Sequence, residues 1–147
     1  MKKQQNPFLK GLVCVLYLIL ILFSPVPSRS QEDGMKQVLI LNSYHQGFKW
    51  TREETEGAVS VLLDNKEYIS VHVEYMDWKN YPTQENLDFL YEYYTYKYQK
   101  KKIDLVLTTD DIALDFALKH RNELFSGAPV VFAGVNREGV NTITQGY

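Results

Sequence analysis

The stretch that decides the fold is "KQVLILNS", residues 36–43, an apolar run that ends abruptly in two polar residues. A run of this length and composition is typical of a strand that is buried on both faces of a parallel sheet. "YHQGFKW" (44–50) follows, and "TREE" (51–54) then has the hydroxyl and carboxylate spacing of a capping box. We therefore expect a strand, a polar and aromatic loop, and a helix that begins at Thr51.

The next part of the chain predicts a second strand and a second helix. In "YISVHVEYM" (68–76) apolar residues alternate with His72 and Glu74, which is typical of a strand with one wetter face near a sheet edge. Pro82 and Thr83 begin the second helix, which ends in three lysines (100–102), where cations suit the helix dipole. The core-facing residues expected in the two helices are Thr55, Ala58, Val61 and Leu62, then Leu87, Leu90, Tyr91, Tyr94 and Tyr98.

The remaining segments repeat this alternation. "IDLVLTTD" (103–110) predicts a third strand, and "DDIALDFALKHRNELF" (110–125) predicts a helix capped by Asp110 or Asp111. "VVFAGVN" (130–136) predicts a fourth strand. Helices of ten or more residues between apolar strands are the crossovers that parallel strands require. The predicted fold class is α/β, an open and mainly parallel sheet with helices on both faces.

The two ends of the chain differ from this pattern. Residues 1–30 combine a basic start, thirteen uncharged residues in "GLVCVLYLILILF" (11–23) and a Pro- and Ser-containing exit. That layout is typical of a secretory signal peptide, and an uncleaved membrane anchor is the alternative. Residues 31–147 are then an exported, periplasmic or extracytoplasmic lobe. "REGVNTITQGY" (137–147) contains one short β-branched patch, so we expect a half-finished strand and a lobe that is incomplete at its C-terminus.

Charge and cysteine content exclude several classes of function. Without residues 1–30 the chain has 12 basic and 18 acidic residues, a net charge of −6, which argues against a nucleic-acid partner. The only cysteine, Cys14, lies in the predicted signal. The exported part therefore has no disulfide, no cysteine nucleophile and no cysteine-based metal site.

Polar and aromatic residues follow each predicted strand. In an open α/β sheet the ligand crevice lies outside the carboxyl ends of the strands, so these residues are expected to converge on one edge. They are Asn42, Ser43, Tyr44, His45 and Gln46, then Asp77 and Trp78, then Thr108, Thr109, Asp110 and Asp111, and finally Gly134 and Asn136.

Chemical alternatives at this edge have weak support in the sequence. Ser43 and His45 could pair as nucleophile and base, but no G-x-S-x-G elbow accompanies them. His45, Asp77, Asp110 and Asp111 have metal-ligand chemistry without a tight ligand spacing. Glycine-rich phosphate loops are absent from the sequence. We expect no catalytic residue, no metal and no cofactor.

The tyrosine-rich segment "YEYYTYKY" (91–98) predicts both core and surface residues. Tyr91, Tyr94 and Tyr98 share the apolar face of the second helix, whereas Tyr93 and Tyr96 fall on the other side. Exposed tyrosines are enriched at protein interfaces, so self-association through Tyr93 and Tyr96 is a hypothesis.

Four segments in order, "VLILNSYHQGFKWT", "VEYMDWKNY", "DLVLTTDDIALDF" and "PVVFAGVN", carry a family resemblance. Together they resemble the ABC-transporter substrate-binding-protein-like family, which has the type I periplasmic-binding-protein fold. The nearest likeness is to members that serve as extracytoplasmic sensor regions of bacterial histidine kinases and diguanylate cyclases. The resemblance covers about residues 36–140 and implies the N-terminal lobe of a two-lobed binding domain. The cleft-facing residues that it implies are Ser43, Tyr44, His45, Asp77, Thr109, Asp110, Asp111, Gly134 and Asn136.

The resemblance implies binding of a small polar molecule between this lobe and a second lobe, with a membrane-bound signalling or transporter module as partner. A sensor fragment is the first expectation. A substrate-binding protein of an ABC transporter is the alternative, although no lipoprotein cysteine follows the signal. An exported α/β enzyme ranks third. A sugar, an amino acid, a purine and a peptide all stay open as ligands.

Overall fold

The computed structural model describes residues 34–64 and 67–136. The predicted signal (1–30) and the predicted half-finished strand (137–147) lie outside the described residues. The described elements alternate from strand to helix as the sequence predicts. They are β1 (Lys36–Asn42), α1 (Lys49–Leu63), β2 (Ile69–Tyr75), α2 (Gln84–Tyr98), β3 (Leu105–Thr109), α3 (Asp110–Lys119), α4 (Arg121–Leu124) and β4 (Val130–Ala133).

The four strands form one parallel sheet in the order β2-β1-β3-β4. Both the α/β class and the parallel arrangement are therefore confirmed. The register places Asn42 beside Tyr75 on one side and Thr109 on the other, and Thr109 beside Ala133. All four strands consequently end at the same level, which brings their following loops to one edge.

Helices cover the sheet on two faces. Leu39 and Leu41 of β1 pack into an apolar cluster with Tyr94 of α2 and Phe116 of α3. The opposite face meets α1, where the Thr55 hydroxyl lies 3.0 Å from the Asn42 side chain. β1 is buried from Gln37 onward, as its uninterrupted apolar sequence predicts. No helix among the described residues is long and apolar enough to cross a membrane.

The predicted start of α1 at Thr51 is wrong. The helix begins two residues earlier, since the Arg52 N–H donates to the Phe48 carbonyl and closes the first turn there. Thr51 therefore lies inside the helix, where its side chain is fully buried. Val61, expected on the core face, is 68% exposed, whereas Thr55 is buried and Leu62 is partly buried.

The alternation in β2 predicted a solvent-exposed polar face, and that prediction is wrong. The prediction that β2 lies at a sheet edge is confirmed for the described sheet. Glu74 is the only residue of the strand classed as buried. α2 covers it, with the Tyr98 hydroxyl at 2.6 Å and the Lys97 ammonium at 2.5 Å from Glu74 Oε1. Burial and the Glu74 carboxylate raise the pKa of Tyr98 well above its ordinary value.

The helix predicted over 110–125 is two helices that meet at His120. Neither Asp110 nor Asp111 caps the first of them, because Thr109 is the N-cap residue and makes no side-chain capping bond. Asp110 instead adopts a left-handed backbone conformation, with φ at 64°. The second helix, in contrast, starts as predicted, since the Thr83 hydroxyl accepts from the Asn86 N–H.

Candidate functional site

A buried amide links the strand ends that support the site. Asn42, at the end of β1, is fully buried, and its Oδ1 lies 3.0 Å from both the Thr55 and the Thr109 hydroxyls. Its Nδ2 donates to the Glu74 carbonyl at 3.1 Å. One side chain thus connects α1, β2 and β3 at the level where the strands end. Because buried polar groups without partners are costly, this network fixes the local register.

Ser43 connects three of the loops at the same edge. Its hydroxyl donates to the Thr109 carbonyl at 2.7 Å and accepts from the Ala113 N–H at 2.9 Å. Its carbonyl accepts from the Trp78 N–H at 2.9 Å. The side chain is fully buried, so Ser43 and Thr109 lie beneath the surface of the edge and hold its loops together.

An aromatic group with one cation forms the next part of the edge. The rings of Tyr44 and Phe48 meet edge to face, with centroids 5.4 Å apart. The Lys79 ammonium lies 3.6 Å from the Phe48 ring centroid and 5.5 Å from that of Tyr44, a cation–π arrangement. His45 packs against the outer side of this group, 6.4 Å from the Phe48 ring. The loop after β1 therefore contacts the loop after β2 through Lys79.

Asp77 shapes the loop after β2. It has a left-handed backbone with φ at 52°, and its Oδ1 accepts from Asn80 Nδ2 at 2.8 Å. Its carbonyl also accepts from the N–H groups of Asn80 and Tyr81. These contacts form a local turn, so the Asp77 carboxylate is already used in supporting the loop that carries Lys79.

Two carboxyl groups and an indole lie against Gly134, the residue after β4. A Cβ atom at this position would lie 2.8 Å from Glu54 Oε1, 3.3 Å from Asp110 Oδ1 and 3.4 Å from Trp50 Nε1. Gly134 also has a φ of 67°, a conformation that side chains rarely adopt. Only glycine therefore allows the two carboxyl groups to approach the backbone this closely.

The carboxyl groups beside Gly134 have perturbed pKa values. Burial raises the pKa of Asp110, the Asp111 carboxylate raises it further, and Lys79 opposes both effects. Burial and the Asp110 charge raise the pKa of Glu54, against the influence of the Trp50 indole N–H. The pKa of the Tyr44 phenol is raised by burial and then by the charges of Asp110 and Asp111. Negative charge therefore dominates this part of the edge.

The structure brings most of the predicted site residues to one edge of the sheet, in three separate settings. Tyr44, Asp110, Asp111 and Gly134 share the acidic region, and the Asn136 amide donates to the Gly134 carbonyl at 3.3 Å. Ser43 and Thr109 are buried beneath this region, whereas His45 and Asp77 lie in the loops after β1 and β2.

Sequence reasoning missed Glu54 and Trp50. They are four residues apart on α1, hence on one helix face, and that spacing was the available signal. The capping-box interpretation assigned Glu54 to the helix start instead.

No group of three or more His, Cys, Asp or Glu side chains within residues 34–64 and 67–136 has an arrangement that could hold a metal ion.

Two grooves lie away from this edge. One of about 510 Å³ runs between α2 and α3, lined by residues that include Leu87, Tyr91 and Phe116. Another of about 480 Å³ lies beyond the C-terminal end of α2, beside Tyr98 and Leu124. Both grooves lie away from the carboxyl ends of the strands, so each is an alternative place for a ligand.

No family model, no curated protein and no solved structure matches this chain. The resemblance to substrate-binding-protein-like sensors therefore stays a prediction, and the case for a function depends on the fold and on the edge.

Proposed function

We propose that this chain is an extracytoplasmic lobe that binds a small polar molecule, as the N-terminal part of a sensor of the histidine kinase or diguanylate cyclase type. The observation that carries the proposal is the convergence at the carboxyl edge of the sheet. Loops from all four strands supply Tyr44, Lys79, Asp110 and Gly134 there. Parallel α/β sheets bind ligands at this edge for geometric reasons, because their loops and helix starts meet there.

The support beneath the edge suits a binding role. Asn42, Ser43 and Thr109 are buried and hydrogen-bonded, so the loops above them have a fixed base. Binding is strongest when the contacting groups are held in place before the ligand arrives. A second lobe that closes over this edge would complete the cleft, and preference of the ligand for the closed form would supply the signal.

A serine hydrolase, as one form of the exported enzyme, receives less support. Ser43 is fully buried, and its hydroxyl is engaged by two backbone groups of β3 and α3. A nucleophile needs an accessible oxygen and a base within hydrogen-bond reach. The hydrogen bonds of Ser43 favour a structural role for this residue.

A ligand panel tests the binding proposal. The purified 147-residue chain is titrated with representative sugars, amino acids, purines and short peptides, and the fluorescence of Trp50 and Trp78 is followed. Both tryptophans lie beside the edge, so a ligand bound there should change their emission. Tyr44→Ala should weaken the binding of any hit. Tyr68→Ala is the matched control, since Tyr68 is 68% exposed at the opposite ends of the strands.

Failure of the whole panel to bind would contradict the proposal, as would a hit whose affinity falls equally in the Tyr44 and Tyr68 variants. The choice between sensor and transporter has a separate test. Sequencing the source DNA past the codon for Tyr147 should give an open frame with a second lobe, a membrane span and a kinase or cyclase module. A frame that ends after a second lobe would favour the transporter protein.

A further inference from the structure

The acidic region beside Gly134 contains buried acceptors that the described residues leave unused. Asp110 is only 6% exposed, and its Oδ2 has no hydrogen-bond partner among residues 34–64 and 67–136. The same holds within the described part of the chain for the buried Oε2 of Glu54. A buried carboxylate oxygen without a donor is costly, so its persistence suggests a partner that arrives from outside.

A buried hydroxyl gives a second and independent indication. Thr51 is fully buried, and its Oγ1 has no hydrogen-bond partner among the described residues. Thr51 shares a face of α1 with Glu54 and Thr55, and Thr55 contacts Asn42 at the end of β1. Thr51 lies one helical turn before Thr55, on the helix face that also carries Glu54.

The charge around these acceptors is suited to a cation. Asp111 adds a further negative charge beside Asp110, and the charges of both carboxylates raise the pKa of the Tyr44 phenol after the larger effect of burial. Lys79 is the cation that acts on Asp110, but its ammonium lies over the Phe48 ring. The left-handed backbone of Asp110 is strain of the kind found at functional sites.

We propose that Glu54 and Asp110 bind a protonated amine of the ligand in the acidic region next to Gly134. An ammonium group has three N–H donors, and the unused acceptors are Glu54 Oε2, Asp110 Oδ2 and Thr51 Oγ1. The Trp50 indole, 53% exposed, borders the same region through its N–H group. This inference depends on the proposed binding role and adds the chemical class of the ligand.

Three probes of matched size and different charge test it: 2-phenylethylamine, its neutral N-acetyl derivative and 3-phenylpropionate. Each is titrated into the ¹⁵N-labelled 147-residue chain, and backbone amide shifts are measured. The amine should shift the Glu54, Asp110 and Gly134 signals and bind about tenfold more tightly than either analogue. A charged hydrogen bond of about 1.4 kcal/mol corresponds to that factor.

Single variants separate a specific site from general attraction to an acidic protein. Glu54→Gln and Asp110→Asn should each weaken amine binding about tenfold and leave the neutral probe unchanged. Glu53→Gln is the matched control on α1, because Glu53 is exposed and paired with Lys49. Glu56→Gln is a second, exposed control on the same helix. Both controls should stay within about twofold of wild type, as surface charges that lie outside a site usually do.

The outcomes distinguish this inference from the binding proposal. Equal or tighter binding of the neutral or anionic probe at the edge would overturn the amine inference and leave the binding role standing. Amine binding that both control variants weaken as much as Glu54→Gln would also overturn it. If no probe shifts any signal, the amine inference fails, and the broader ligand panel then decides the binding role. Amide spectra of each variant verify its folding, and the two site variants provide independent readings.

Discussion

Replacing Asn42 by alanine should destabilise the fold more than any other single polar substitution at the edge. The change removes two hydrogen bonds without replacement, one from the Thr109 hydroxyl and one to the Glu74 carbonyl. The Thr55 hydroxyl keeps the Thr51 carbonyl as an acceptor at 2.7 Å. At about 1.5 kcal/mol for each lost buried bond, the free energy of unfolding should fall by about 3 kcal/mol.

Asn42→Asp is a sharper form of the same test. Its carboxylate can still accept from Thr55 and Thr109, but its second oxygen would replace a donor that lies 3.1 Å from the Glu74 carbonyl. Burial and that carbonyl should raise the pKa of the new carboxyl group in the folded state. The contribution of this carboxyl group to the free energy of unfolding is therefore fully present below its unfolded pKa of about 3.9. It is lost as the pH rises through the pKa of the folded state.

Urea denaturation followed by tryptophan fluorescence measures both variants, with Asn80→Ala as the control. Asn80 is exposed and makes its side-chain bond to a neighbour in its own turn, so its loss should cost about 0.5 kcal/mol or less. A cost below about 1 kcal/mol for Asn42→Ala would refute the network argument. So would an Asn42→Asp variant that is as stable, relative to wild type, at pH 7 as at pH 4.

Three further predictions concern separate features. Tyr98→Phe should cost about 2 kcal/mol in urea denaturation, because it removes the buried donor to the Glu74 carboxylate; no cost would contradict that role. Glu54→Gln should stabilise the chain by about 0.5 kcal/mol at neutral pH. The folded pKa of Glu54 is raised, so this advantage should disappear as the pH falls toward 4, and a growing advantage would be the wrong sign. Replacing exposed Tyr93 and Tyr96 by serine should reduce oligomer size in light scattering if the chain self-associates there, and an unchanged size would exclude that surface.

The sheet could be predicted from the sequence because its signals are local. The apolar run of β1 and the regular spacing of Leu90, Tyr94 and Tyr98 in α2 each specify an element without knowledge of its neighbours. Glu74 shows the limit of such reasoning. Its alternation with apolar residues indicated a wet face, but α2 covers that face and supplies Tyr98 and Lys97 as partners.

The acidic region could be predicted only in part. The position of Asp110 follows from topology, since it comes directly after β3. The approach of Glu54 and Trp50 to Gly134 depends on how α1 crosses the sheet, and no local pattern encodes that packing. The capping-box pattern at Thr51 was misleading, because Phe48 closes the first turn two residues earlier.

The most direct test of the account is to map where a ligand binds. Backbone amide shifts of the ¹⁵N-labelled chain are recorded with the strongest hit from the ligand panel. Binding at the carboxyl edge should shift the signals of residues 43–50, 77–80, 109–111 and 134, in the loops after the four strands. Shifts confined to the groove between α2 and α3, around Tyr91 and Phe116, would contradict it.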